Sequence, residues 1–106
     1  MNEKQAKFSI GEIVKHKYFN FRGVIYDVDF EFNNSEEWYR SIPKNVRPRK
    51  NQPFYHLLAE NNEITYEAYV SEQNLITDNS VEPLQQPLIN EIFSKKRGSE
   101  YYKRSN

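Results

Sequence analysis

Between Phe21 and Phe32 the chain reads FRGVIYDVDFEF. Val24, Tyr26, Val28 and Phe30 fall at every second position, with Ile25, Asp27 and Asp29 between them. Successive side chains of an extended backbone point to opposite faces, so this period of two fits a strand and no helix. The flanking sequence supplies candidate neighbours. FSIGEIVKHK, residues 8 to 17, places Phe8 and Ile10 before Gly11 and then runs through Ile13 and Val14. It is expected to be a short first strand entered through a glycine bend. Tyr18, Phe19 and Asn20 then form a tight, hairpin-like connection between the two strands.

A second pair of strands is predicted at Phe54 to Glu60 and Ile64 to Val70, around Asn61 and Asn62, residues that tolerate positive φ in a turn. Tyr66 and Tyr69 then fall on opposite faces of the last strand, and SEQNL, residues 71 to 75, reads as a short helical turn. Between the pairs, NNSEEWYRSI has a helix start at Asn34 or Ser35, acids Glu36 and Glu37 at the positive N-terminal end, and Arg40 in the last turn. One or two helical turns are expected, followed by a loop, PKNVRPRKNQP, punctuated by Pro43, Pro48 and Pro53. The predicted fold is mainly β: a small, strongly bent antiparallel β-barrel (SH3-like) over residues 1–76, with one or two short helices and a C-terminal tail.

From Thr77 the composition turns to linker chemistry. Pro87 can open a short amphipathic helix with Leu88, Ile89, Ile92 and Phe93 on one side; that segment either docks on the barrel or binds a partner. KKRGSEYYKRSN at the end reads as a mobile basic tail. Residues 77–106 are thus expected to be linker, short amphipathic segment and basic tail.

A chain of 106 residues fits one domain. Hydrophobic residues are only 37%, but aromatics reach 15%, enough large side chains to build a core and to argue against a fully disordered chain. Lys and Arg (15) balance Asp and Glu (15), which excludes a histone-like polycation. The balance hides alternating blocks of +3, −5, +5, −7 and +4 over residues 1–26, 27–39, 40–50, 51–94 and 95–106. Local patches of either sign therefore remain open. Cysteine is absent, which removes disulfides, thiolate nucleophiles and Cys-based zinc sites. The opening MNEKQAKFSIGE lacks the apolar stretch of a secretory signal, and no run approaches a membrane span. A soluble cytoplasmic protein is expected.

Candidate chemistry is sparse. His16 and His56 each sit in a predicted strand with no His or carboxylate close by at metal-ligand spacing, so structural roles are favoured and no metal or other cofactor is expected. No Ser has the G-x-S-x-G context, and three glycines are too few for a phosphate cradle. Asp27, Asp29 and Glu31 could present paired carboxylates, although strand residues of this kind are usually a solvated face. A non-enzymatic chain is expected. Basic residues are more informative: Lys15, Lys17 and Arg22 flank the first hairpin, and Arg40, Lys44, Arg47, Arg49 and Lys50 line the helix and proline loop. If both regions face one side, these cations could track a phosphate backbone; a solvated, internally balanced loop is the alternative. Trp38 and Tyr39 on the short helix fit core or an oligomer contact better than a base-stacking platform.

The run KFSIGEIVKHKYFNFRGVIYDVDFEF, followed by NSEEWYRSIP, VRPRKNQPFYHLLAE and YVSEQNL, closely resembles the heat-shock protein HspQ family, also called the hemimethylated-DNA-binding protein family. The resemblance covers about residues 7 to 76 and the segment EPLQQPLINEIF. It implies a small bent β-barrel, a cytoplasmic stress-response protein, binding of hemimethylated duplex DNA, modulation of proteolysis by the Lon protease, and a homo-oligomer, with a trimer favoured. The family pattern does not fix individual DNA-contacting positions, so the eight cations above are the candidates, with Tyr18, Phe19 and Phe21 as aromatics that could line a methyl pocket.

Overall fold

The computed structural model of the protein describes residues 5–80, 82–97 and 100–103. Strands β1 (Ile13–His16), β2 (Arg22–Asp29), β3 (Phe54–Glu60), β4 (Thr65–Ser71) and β5 (Leu75–Thr77) form one antiparallel sheet in the order β4-β3-β2-β1-β5. The fold is mainly β, with β4 and β5 at the two edges of the sheet. Helix α1 (Glu36–Ser41) and a 3-10 turn at Lys44–Val46 separate β2 from β3, and a second 3-10 turn at Glu72–Asn74 joins β4 to β5.

Both faces of the sheet are covered. On one, Val14, Ile25, Tyr55, Leu57, Ala59, Val70 and Leu75 cluster with Phe8, whose N–H donates to the Tyr55 hydroxyl at 3.0 Å. On the other, Ile13, Val24 and Leu58 receive Leu84, Ile89 and Phe93. Neighbouring residues alternate between the clusters, as the strand period requires. Of the two placements open to the amphipathic segment, the structure shows docking: helix α2 (Ile89–Ile92) buries Ile89, and Phe93 is 2% exposed. Gln86 supports this by donating its side-chain amide to the Ala59 carbonyl at 3.1 Å.

The alternation in β2 breaks where the sequence reads as continuous. A bulge lies between Ile25 and Asp27, so Val28 pairs with Tyr55 and joins the face of Ile25 rather than that of Val24. One extra residue reverses the facing of everything after it. Phe30, expected on the Val24 face, lies past the strand and is exposed.

One turn uses other means than expected. No described residue but glycine has positive φ. Asn61 instead accepts the N–H groups of Glu63 and Ile64 on its side-chain oxygen, each at 2.8 Å, which closes the β3–β4 turn without a left-handed residue. Gly11 does bend the chain, at φ 95°, and a Cβ there would sit 2.0 Å from the Tyr101 carbonyl oxygen.

That close approach comes from the segment expected to be a mobile basic tail. Strands β6 (Phe93–Arg97) and β7 (Glu100–Lys103) pair antiparallel, and Tyr101 donates its N–H to the Gly11 carbonyl at 2.7 Å. Phe93 and Tyr101 give the hairpin an apolar side that packs with the second cluster, which charge counting along the tail does not register. The tail's residues 98–99 and 104–106 lie outside the described residues. Among the described residues no helix is long and apolar enough to cross a membrane.

Candidate nucleic-acid interface

The first hairpin is built around His16. Its Nδ1 accepts the N–H groups of Tyr18 and Phe19 at 3.0 and 3.1 Å, which requires an unprotonated ring nitrogen. Burial pushes the His16 pKa below its usual value, in keeping with that neutral role. The ring stacks on Phe19 at 4.7 Å and meets Phe21 at 5.1 Å. Phe21 turns inward to Tyr66, whereas Tyr18 and Phe19 stand at the tip, 75% and 62% exposed. The sequence reading of His16 as a satisfied structural histidine therefore holds.

Helix α1 starts where expected: the Ser35 hydroxyl caps the Trp38 N–H at 3.0 Å. Trp38 and Tyr39 contact Phe32, and Trp38 also meets Tyr69, so the pair is anchored on the sheet. The proline loop is tied back by its own cations. Arg47 donates to the Ile42 carbonyl at 2.9 and 3.1 Å and to the Arg40 carbonyl at 3.1 Å, and lies over the Tyr39 ring. Lys50 reaches Glu36 at 2.5 Å and lies over Tyr39 and Phe32. Hydrogen bonds from Lys50 and Arg40 hold the Glu36 carboxyl below its ordinary pKa.

Hairpin and loop do face one another. They flank a groove of about 870 Å³, with His16, Tyr18, Phe19 and Phe21 on one side, Trp38, Pro43, Val46 and Pro48 on the other, and β4 residues Tyr66, Ala68 and Val70 between. Of the eight candidate cations, Arg47 lines this groove; Lys15, Lys17 and Arg22 line a second hollow of about 510 Å³ behind the hairpin.

The cations differ in availability. Arg22 is held by Asp78 at 2.5 Å, the Glu82 carbonyl at 2.6 Å and Ser80, with Glu60 at 4.0 Å. Burial alone would raise the Asp78 carboxyl, but hydrogen bonds from Arg22 and Ser80 outweigh it and keep its pKa below the usual value. Arg40 pairs with Glu36 at 3.3 Å in an exposed i,i+4 contact. Lys15, Lys17, Lys44 and Arg49 are exposed, and no side-chain ion pair or hydrogen bond to another described residue engages them. Sequence reasoning treated all eight alike because their acceptors, Asp78, the Glu82 carbonyl and the Ile42 carbonyl, become neighbours only through folding.

The acidic strand contains a grouping that spacing missed. Register pairs Asp27 with His56, and one ligand atom each of Asp27, Asp29 and His56 lie within 4.8 Å of one another. His56 Nε2 sits 2.9 Å from an Asp29 oxygen that also accepts the Tyr69 hydroxyl at 2.8 Å. Burial and the Asp29 hydrogen bond push the Tyr69 pKa up. The expectation of no carboxylate near His56 is thus corrected: a cross-strand partner is invisible to spacing along one strand. His56, Asp27 and Asp29 line neither hollow, so the concave carboxylate site that a hydrolase would need is not formed by either of them.

A family described as hemimethylated DNA-binding protein, YccV like, matches residues 6–100. F-box only protein 21 of Pongo abelii and of Homo sapiens are each similar to this chain, 32% identical over 95 residues. The Mus musculus protein of the same name is 30% identical over 95 residues. Each alignment covers 89% of this chain, and the chain spans about 15% of the length of these curated relatives. No solved structure matches.

Proposed function

The chain belongs to the YccV-like family of hemimethylated-DNA-binding proteins, and from that premise we propose that it is a non-enzymatic, stress-response binder of double-stranded DNA that prefers hemimethylated sites. The observation that supports this reading most is the first hairpin, where exposed Tyr18 and Phe19 directly follow Lys15 and Lys17, two exposed cations that no side chain among the described residues engages. The lysines supply sequence-independent attraction to phosphates. The aromatic tip supplies apolar surface for a base methyl, which lies in the major groove. One buried methyl is worth about 0.8 kcal/mol, roughly fourfold in affinity, so larger selectivity requires steric rejection of the other methylation states.

Titrating unmethylated, hemimethylated and fully methylated forms of one duplex at two salt concentrations tests the reading. Tighter binding of the hemimethylated form is expected, and Phe19→Ser should remove the preference while keeping the salt slope. Equal affinities with a steep slope would leave only phosphate binding.

A second reading, an adaptor for Lon-dependent proteolysis, draws support from β4, which among the described residues is an edge strand of the sheet and borders the apolar groove. A reconstituted degradation assay with and without the protein tests it; an unchanged substrate half-life would sink it.

A further inference from the structure

Strand β4 ends the sheet: among the described residues no strand pairs with its far side. Edge strands are usually protected by a bulge, a proline, a lysine or a short length. Thr65–Ser71 has no bulge, proline or lysine: its seven residues pair in unbroken register with β3, and Glu67 is its one charged side chain. Its second half borders the groove, which Tyr66, Ala68, Tyr69, Val70 and Ser71 line, while Thr65 and Glu67 are exposed. A row of backbone donors and acceptors along an apolar trough calls for a strand, since only extended backbone can satisfy both.

Charge narrows the occupant further. Residues 51–94 hold no Lys or Arg, and Glu63, Glu67 and Glu72 lie on or beside β4. Glu67 is exposed, on the face opposite the Tyr66, Ala68 and Val70 side, where its carboxylate accepts the Tyr26 hydroxyl at 2.5 Å. Burial and the Glu67 carboxylate together raise the Tyr26 pKa to about 12. A second copy of β4 would bring another acidic strand against this one, and like charges across strands destabilise pairing. A strand with basic residues on the Glu67 face and apolar residues on the groove face would be complementary on both.

We propose that the outer edge of β4 binds an extended peptide as an added strand, one whose residues alternate between apolar side chains directed to the groove and basic side chains directed to Glu67. The site goes beyond the DNA reading and deepens the adaptor reading by naming what such an adaptor would hold.

The test uses the full chain and a fluorescein-labelled peptide of alternating valine and lysine, about ten residues long to span one strand. Two controls are the valine–glutamate counterpart and the valine–lysine peptide with N-methyl groups on alternate backbone amides. The first peptide should bind at least about tenfold more tightly than either control, a difference of about 1.4 kcal/mol. Glu67→Lys, an exposed change checked for folding by circular dichroism, should shift the preference to the valine–glutamate peptide. Equal binding of the N-methylated peptide, or a preference unmoved by Glu67→Lys, would overturn the proposal. So would sedimentation of the free chain as an oligomer whose β4 amides are protected from hydrogen exchange. Peptide binding is read without protease, so binding alongside an unchanged substrate half-life upholds the strand site and sinks the adaptor reading alone.

Discussion

The hairpin around Tyr18 and the loop from Pro43 to Lys50 are both basic and flank the same groove, yet they divide their charge differently: the loop engages two cations and leaves Lys44 and Arg49 exposed, whereas the hairpin engages one and leaves Lys15 and Lys17 exposed. In the loop, Arg47 and Lys50 are turned back on the carbonyls, carboxylate and rings of their own segment. At the hairpin, Lys15 and Lys17 are left to solvent, and the one arginine beside them, Arg22, is consumed by the segment after β5. Charge written in a sequence is therefore not charge available to a partner. Residue type does not decide the outcome: Arg22, Arg47 and Lys50 are engaged within the fold, while Lys15, Lys17, Lys44 and Arg49 are left out.

The sharpest way to break this contrast is to remove Arg22. Its side chain is 18% exposed, and its partners Asp78 and Glu60 are 6% and 12% exposed, so Arg22→Ala leaves two enclosed carboxylates without a counter-charge. A loss of about 3–5 kcal/mol is expected, read as a lower urea midpoint with an unchanged slope. Arg22→Lys should recover only part, because an ammonium cannot reproduce the fork. The pair also sets an acid limb. The folded Asp78 pKa is depressed, so its contribution is present above the ordinary carboxylate pKa and is lost as pH falls through the lowered value. Arg22→Ala should flatten that limb; a variant as stable as the parent would return Arg22 to the set of available cations.

Arg47→Ala comes next. It removes three hydrogen bonds to the Ile42 and Arg40 carbonyls and a cation over Tyr39, an expected cost of about 1–2 kcal/mol. Lys50→Ala should cost less than about 1 kcal/mol, since the Lys50–Glu36 pair is exposed on both sides. If DNA affinity falls after Arg47→Ala by more than the unfolded fraction explains, the loop contacts DNA as well as holding itself.

The fold was largely readable because strands, cap and turn signals are local. Ser35, the alternation at Val24 to Tyr26, and the Tyr66 and Tyr69 facing all follow from residues within a few positions. What escaped was non-local. The bulge at Tyr26 turns Val28 over to Tyr55, and nothing in FRGVIYDVDFEF marks it. The C-terminal hairpin depends on Gly11 accepting Tyr101, and the Asp29–His56 contact depends on β2–β3 register. The interface shows the same limit: the exposed tip was recognisable from Tyr18 and Phe19, while the division of eight cations into engaged and available was not.

That division sharpens into a binding experiment with a smaller effect. Lys15→Gln with Lys17→Gln should leave stability within about 0.5 kcal/mol, lower affinity for every duplex, and reduce the salt slope by roughly two contacts' worth. Lys44→Gln with Arg49→Gln makes the matched pair on the loop side, again removing two exposed cations that no side chain among the described residues engages. Equal effects from both pairs would mean that DNA spans the groove. An effect from the hairpin pair alone would confine it to the tip and its second hollow.

The smallest effect concerns His16, which holds the tip in shape. Its Nδ1 can accept the Tyr18 and Phe19 N–H groups only while unprotonated, and burial depresses its folded pKa. A base whose folded pKa is depressed binds a proton more readily when unfolded. Its contribution is therefore complete above the ordinary histidine pKa of about 6.5 and is lost as pH falls toward the folded value. His16→Asn keeps a side-chain oxygen able to accept from residues two and three positions on, without a titrating ring. The variant should lose this pH dependence below about pH 6.5 while retaining the hairpin. If the parent's DNA preference also fades over that window and the variant's does not, the shape of the tip, and not its lysine charge, carries the methyl discrimination.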